Sequence, residues 1–179
     1  MPFPAGSSLI RLSQDYQFKP FNCGDIDLND FLLNDSKSYA RKLLAVTYIL
    51  ENEAELIAFF SLLNDKITVQ DVDSGNQWKK LFKLATGKSF NSHPAMKIGR
   101  LGVSNTFKGQ GIGTIILDYI KELFITNNRT GCRYITVDAY GASLEFYKKN
   151  GFIFLTSKDK GQDTRLMYFD LMTLVEDFA

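Results

Sequence analysis

Apolar positions along the chain follow two periods. Ile112, Ile115, Ile116, Tyr119, Ile120 and Leu123 fall on one face at helical spacing, the 3.6-residue period that lays a single stripe against a core. Just before it, Ile98, Leu101 and Val103 are strand formers interrupted by Gly99 and Gly102; glycine inside a strand marks a bulge or a close approach. Towards the N-terminus, Ser8 to Leu12 reads as a strand. Asp27 to Leu44 reads as a helix capped by Asp27, with Leu28, Phe31, Leu32, Tyr39 and Leu43 as a broken apolar face. Ala45 to Leu50 and Glu55 to Leu63 are β-rich, and Glu51 to Ala54 between them reads as a hairpin turn. Asp65 to Pro94 is polar, with one short helical candidate from Gln77 to Leu84; so long an excursion is where substrate-specific structure sits. Arg133 to Ala139 is a further β-rich run, and Arg165 to Leu171 alternates as a closing strand. The order is β-α-β-β-(insert)-β-α-β-α-β-β, with no repeat, low-complexity tract or linker between domains.

Between the strand at 96–103 and the helix lies the turn Ser104 to Thr114, with glycines at 109, 111 and 113. Without Cβ atoms the backbone there can bend tightly against a ligand. The loop amides, the unpaired amides of a helix N-terminus and the helix dipole all favour an anion at one spot. A phosphate or pyrophosphate fits. A dinucleotide fold is disfavoured, because the third glycine of G-x-G-x-x-G arrives one residue early and no acidic residue follows about 20 positions on.

Composition narrows the function classes. A chain of 179 residues is a single-domain length that buries about 70% of its unfolded surface. Fifteen Phe and eight Tyr predict an aromatic core. Twenty-one basic against twenty acidic residues leave a net charge of +1, which excludes strong whole-surface attraction to nucleic acid but leaves room for a local basic patch. Cys23 and Cys132 lack metal spacing and His93 is the single histidine, so no metal site is expected. No apolar run reaches the ~18 residues of a membrane span, and MPFPAGSS lacks the charged and apolar regions of a signal peptide. The expectation is a soluble, reduced, cytoplasmic protein without membrane contact.

The run Lys108-Gly109-Gln110-Gly111-Ile112-Gly113 after Leu101-Gly102-Val103 resembles the signature of the GNAT superfamily, the Gcn5-related N-acetyltransferases. That signature is Gln/Arg-x-x-Gly-x-Gly/Ala behind a strand often ending Leu-Ala-Val; here lysine stands for Gln/Arg and glycine for alanine. A second block resembles the family's Asn-x-x-Ala-x-x-Phe/Leu-Tyr-x-x-x-Gly-Phe. Phe146, Tyr147, Gly151 and Phe152 match it, while Tyr140 and Ser143 replace the Asn and Ala.

The resemblance implies an α+β fold with a mixed, mostly antiparallel sheet flanked by helices, the acyl-CoA N-acyltransferase fold. Residues 1–179 would be one such domain, with a cofactor-binding core at about 96–155 and a substrate-specific insert at about 65–95. Strands near 96–103 and 133–139 would splay apart. The activity implied is acetyl transfer from acetyl-CoA, as co-substrate, to a primary amine by direct attack. Leu101, Gly102 and Val103 would bond the pantetheine arm through their main chain. Lys108, Gly109, Gln110, Gly111, Ile112, Gly113 and Thr114 would seat the pyrophosphate, and Tyr140 and Ser143 would line the cofactor. Tyr147 would protonate the departing thiolate, the usual task of the family's tyrosine.

Plainer roles compete for the same residues. Tyr147 sits among aromatics and can be simply packed. His93, beside Pro94 in a polar stretch, reads as a surface histidine before it reads as a general base. Glu55, Asp138 and Glu145 are further base candidates, Asp138 the best placed. Cys132 reads as a small buried hydrophobe.

A narrower likeness lies in Phe21-Asn22-Cys23-Gly24, Leu28-Asn29-Asp30-Phe31-Leu32 and Thr47-Tyr48. It resembles GNAT toxins that acetylate the amino acid on charged tRNA and are paired with an antitoxin. Lys37, Arg41 and Lys42, and Lys79, Lys80 and Lys83, are local basic clusters that an RNA partner would use. Acceptors to weigh are therefore a small-molecule or peptide amine and charged tRNA; a non-catalytic acyl-CoA-binding domain is the third reading. A homodimer is also in keeping with the family.

Overall fold

The computed structural model describes residues 3–82, 90–126, 128 and 131–175. Its strands are β1 (Ser8–Arg11), β2 (Val46–Glu51), β3 (Leu56–Thr68), β4 (Ser92–Val103), β5 (Tyr134–Tyr140), β6 (Ile153–Phe154) and β7 (Thr164–Asp170). They form a mixed sheet in the order β1-β2-β3-β4-β5-β7-β6. The helices are α1 (Ile26–Asp30), α2 (Ser36–Arg41), α3 (Gly75–Leu81), α4 (Ile112–Thr126), α5 (Leu144–Lys149) and α6 (Met172–Val175). Contacts divide the chain into one unit of 1–63 with 98–122 and another of 64–97 with 123–179.

In the first unit, β1 pairs antiparallel with β2 from Ser8↔Glu51 to Arg11↔Tyr48. β2 pairs antiparallel with β3, with a bulge beside Glu51. The expected hairpin between them is closed by Asn52, whose Oδ1 accepts the amides of Ala54 and Glu55, both at 2.9 Å, the side chain mimicking a backbone turn. Leu32, Ile49, Leu56 and Phe59 are fully buried and pack with Leu12 and Phe31 into one cluster. Helix α4 begins at the expected Ile112 and buries Ile112, Ile116, Leu117 and Ile120.

The expected 27–44 helix is corrected in three respects. Asp25, not Asp27, is the cap: its Oδ1 accepts the Leu28 amide at 3.0 Å. The helix is not continuous, since a π-helical turn at Phe31–Asp35 separates α1 from α2. At the start of α2 the Ser36 hydroxyl donates back to the Leu32 carbonyl of that turn at 2.5 Å, a side-chain bond that competes for the helical acceptor. Leu43 does not join the apolar face either. It is 93% exposed with a positive φ of 59°, and the Leu44 amide folds back on the Tyr39 carbonyl at 2.9 Å. The chain is thus ended as a left-handed C-cap ends a helix.

In the second unit, β5 lies parallel to β4 through Ala95↔Tyr134, Met96↔Ile135 and Lys97↔Thr136, and antiparallel to β7 from Tyr134↔Asp170 to Tyr140↔Thr164. β4 goes on for six residues and β5 for four beyond that last parallel pair. The polar 65–94 stretch is shorter than expected, because β3 runs on to Thr68 and β4 starts at Ser92. Helix α3 ends at Leu81; Lys83 and the Leu84 end of the helical candidate lie outside the described residues. Trp78, Phe82, Tyr134 and Tyr168 pack with Ile67, Val72 and Leu155.

His93 is not a surface histidine. It belongs to β4, its ring stacks on Phe82 at 5.0 Å and lies 5.3 Å from Trp78, and its Nε2 is buried without a hydrogen-bond partner among the described residues. Burial, with the Arg133 charge adding to it, holds its pKa below the ordinary value. Aromatic neighbours brought in by α3 and β5 make the difference, and a local polar sequence does not announce them.

Candidate active site

The turn from β4 to α4 is built from Ser104 outward. The Ser104 amide donates to the Ile57 carbonyl at 2.8 Å, a 3₁₀ turn follows over Asn105–Phe107, and the Phe107 amide returns to Ser104 at 2.9 Å. Gly109 and Gly111 then adopt φ of 77° and 78° with open space where a Cβ would stand. Backbone conformation, not crowding, requires glycine at these two positions. The Ile115 amide makes the first α4 bond, to Gly111 at 3.1 Å. Among the described residues the amides of Gly109 through Thr114 have no acceptor. Unpaired donors at a helix N-terminus, with the dipole behind them, make an anion-binding cradle.

Upstream, Leu101, Gly102 and Val103 close β4. A Cβ on Gly102 would stand 2.7 Å from Phe59 and 3.5 Å from Cys23 Sγ, so here glycine admits neighbouring side chains. Lys108 donates its ammonium to the Cys23 carbonyl at 2.6 Å, and the Gln110 side chain donates to the Thr106 carbonyl at 3.2 Å. Ile112 is buried, and Gly113 and Thr114 follow it in the first turn of α4.

The second block lies in the other unit. Tyr140 ends β5, 57% exposed, and Ser143 ends the 3₁₀ turn Gly141–Ser143 that leads into α5. The spacing Tyr147-x-x-x-Gly151-Phe152 has a local cause. Helix α5 stops at Lys149, and Gly151 takes φ of 85°. The Gly151 amide bonds the Lys148 carbonyl at 2.9 Å, and the Phe152 amide bonds the Tyr147 carbonyl at 3.0 Å. This reversal is a glycine C-cap, and it returns the Phe152 ring to 5.3 Å from Tyr147. Phe146 meets Tyr147 from the other neighbour at 5.1 Å. Tyr147 is 6% exposed, and its hydroxyl has no hydrogen-bond partner among the described residues. Burial drives its pKa far above that of a free phenol, so the group stays protonated.

Two of the base candidates, Glu145 and Asp138, are occupied. Glu145 pairs with Lys148 at 2.7 Å, which holds its carboxyl below the usual carboxylate range. Asp138 accepts from Lys97 at 2.8 Å, and Lys97 also faces Asp65 at 3.6 Å. Burial pulls the Lys97 pKa down, yet the Asp138 hydrogen bond and the two carboxylates outweigh it, and the ammonium stays charged above its ordinary value. Asp65 in turn accepts the Thr136 hydroxyl at 2.5 Å. Sequence reading missed this four-residue cluster, because its members lie far apart in the chain. Cys23 and Cys132 are free and buried. In the basic clusters, Lys37 is spent on the Tyr16 carbonyl at 2.5 Å and lies over the Phe18 ring. No helix among the described residues is long and apolar enough to cross a membrane.

The family model of the acetyltransferase (GNAT) domain matches residues 44–154, most of the chain and both motif blocks. The chain belongs to the GNAT acetyltransferase family. The GNAT enzyme transfers the acetyl group of acetyl-CoA to a primary amine. Solved GNAT-fold structures resemble it over nearly its full length. AtaT complexed with acetyl-methionyl-tRNAfMet is 20% identical with a TM-score of 0.79, covering 97% of this chain and 99% of that one. A tyrosine-to-phenylalanine mutant of KacT is 19% identical with a TM-score of 0.78, covering 96% and 98%. AtaTR bound with AcCoA is 22% identical with a TM-score of 0.75, covering 97% and 99%.

Proposed function

We propose that this acetyltransferase acetylates the amino group of an amino acid esterified to tRNA, as a toxin of the GNAT type. The observation that carries the reading is the extent of the likeness to AtaT. It takes in 97% of this chain, whereas the family model stops at residues 44 and 154. The N-terminal segment therefore lies within the likeness as well as the acyl-CoA core, and it carries the pattern Phe21-Asn22-Cys23-Gly24 just ahead of α1.

In this mechanism the amides of Gly109 to Thr114 hold the pyrophosphate, with Lys108 and Gln110 shaping their loop. Main-chain groups of Leu101 to Val103 bind the pantetheine arm and polarise the thioester carbonyl, while Tyr140 and Ser143 line the cofactor. Such groups act by placing the amine about 3 Å from the carbonyl carbon and by stabilising the oxyanion. The amine nitrogen bonds to that carbon, the carbon–sulphur bond breaks, the Tyr147 hydroxyl gives its proton to the departing sulphur, and the proton shed by the acylated nitrogen restores the phenol. The amine must arrive uncharged. With Glu145 and Asp138 both paired to lysines, an acceptor of low basicity suits the site. An α-amino group titrates near 7.7–8.0 against about 10.4 for a lysine side chain, so much of it is already neutral at pH 7 to 8.

On this reading the enzyme works in the cytoplasm, where charged tRNA is found. Its protein partner is an antitoxin, in the way that AtaT is solved bound to the C-terminus of the antitoxin AtaR. The balanced charge of +1 favours a second reading, a small-molecule or peptide amine as acceptor. Labelled acetyl-CoA offered with charged tRNA, deacylated tRNA and a panel of polyamines and lysine peptides separates the two. Label on charged tRNA alone supports the toxin reading; label on the small amines and none on charged tRNA overturns it.

A further inference from the structure

The segment Asn22-Cys23-Gly24 is fastened to the turn after β4 at consecutive carbonyls. The Asn22 carbonyl accepts the Asn105 amide at 2.9 Å, and the Cys23 carbonyl accepts the Lys108 ammonium at 2.6 Å. Cys23 also lies against the strand leading into the turn, where a Cβ on Gly102 would reach its sulphur at 3.5 Å. The segment is itself held from below. Asn29 of α1 accepts the Cys23 amide at 2.9 Å and gives its own amide to Asn22 Oδ1 at 3.0 Å. Asn22 Oδ1 also takes the Gly24 amide at 2.8 Å. Gly24 has φ of 78°, and a Cβ there would come within 3.1 Å of the Asn105 side chain and 3.5 Å of Lys108 Nζ. Only glycine leaves the two chains this close without strain.

We propose that Lys108 is a positioning residue: its ammonium ties the N-terminal turn at Asn22–Gly24 to the phosphate-binding loop, and that bracket fixes the loop's amides for acetyl-CoA. The proposal rests on the reading of Gly109–Thr114 as the pyrophosphate seat. It departs from a direct role for the Lys108 charge on the phosphates. A loop whose amides point inward before the ligand arrives binds more tightly, because less ordering is left to the binding step. Two bonds from the N-terminal turn, one at each end of the 3₁₀ segment at 105–107, supply that ordering. The bracket also gives the Phe21–Gly24 pattern a task in cofactor binding as well as in the fold.

The test is calorimetric titration with acetyl-CoA at several salt concentrations. It compares wild type, Lys108→Met, Lys108→Arg, Gly24→Ala, the Lys108→Met/Gly24→Ala double variant and Gly111→Glu. Lys108 is exposed, so its variants keep the fold, and an unchanged unfolding midpoint of the ligand-free protein verifies this. The bracket predicts that Lys108→Met and Gly24→Ala each weaken acetyl-CoA about three- to tenfold, the loss of one or two part-buried hydrogen bonds. The double variant should be no weaker than the worse single one, because both break the same bracket. Lys108→Arg should restore most of the affinity, and the slope of affinity against salt should not change. Additive losses, or a flatter salt slope in Lys108→Met with Gly24→Ala at wild-type affinity, would overturn the proposal in favour of a direct phosphate contact. Should Gly24→Ala not fold, the Met and Arg variants decide by salt slope and rescue. Wild-type binding by Gly111→Glu would show instead that the loop itself had been misassigned.

Discussion

A phenol clamped between two aromatic rings keeps its proton, and Tyr147 is so clamped by Phe146 and Phe152. Replacing it by phenylalanine preserves the packing and removes only the hydroxyl. Tyr147→Phe should therefore lower kcat by about 10²-fold or more, the usual worth of a positioned general acid, with acetyl-CoA affinity unchanged. Steady-state rates beside calorimetric affinities check this, and equal rates across pH would remove Tyr147 from the mechanism. His93 gives a prediction of a different kind. Its folded-state pKa lies below the ordinary value, so as pH falls through about 6.5 the unfolded chain takes up a proton first. Stability should then fall between that pH and the lowered pKa, and be unaffected by His93 above it. Melting temperatures between pH 7.5 and 5 should drop less in His93→Phe than in wild type; parallel curves would contradict the assignment. The loop glycines and Tyr147 were legible as a pattern because their spacing follows from local turns and caps. The surroundings of His93 were not, since Phe82 and Tyr134 reach it from other elements.

Element by element, legibility follows how local the cause is. Helix α4 reads correctly at its start because its apolar stripe begins where the glycine turn ends. The N-terminal helix reads as one element because Leu28, Phe31, Leu32 and Tyr39 continue its period. The π-helical turn at Phe31–Asp35, with the Ser36 hydroxyl on the Leu32 carbonyl, divides it in a way that hydrophobic spacing does not carry. Strand β3 was read too short, since Asn64, Asp65 and Lys66 look like a loop, yet Asp65 meets Lys97 and Thr136 within the sheet. The cap at Asp25 has its own expected outcome. Asp25→Ala should cost about 0.5–2 kcal/mol, the usual loss for an N-cap, and Asp27→Ala clearly less. Urea unfolding of the two variants measures the difference; equal losses would put the cap back at Asp27.

For the whole molecule, the order of strands and helices and the family were readable from two short blocks, because a glycine turn at positive φ and a helix that ends on Gly-Phe each need fixed residues. The ties that hold those blocks were not readable: Lys108 finds Cys23 and Lys97 finds Asp138 across long stretches of chain. The likeness to AtaT likewise runs over the whole chain and extends beyond the family core. All of these readings depend on the loop at Gly109–Thr114. Calorimetric titration of the wild-type protein and of Gly111→Glu with acetyl-CoA tests it most directly. Glycine's positive φ is lost in that variant and a carboxylate is set where the phosphates would lie. Micromolar binding by the wild type, abolished in Gly111→Glu, is the result expected. No binding by the wild type, or equal binding by both proteins, would contradict the assignment of the loop and with it the mechanism.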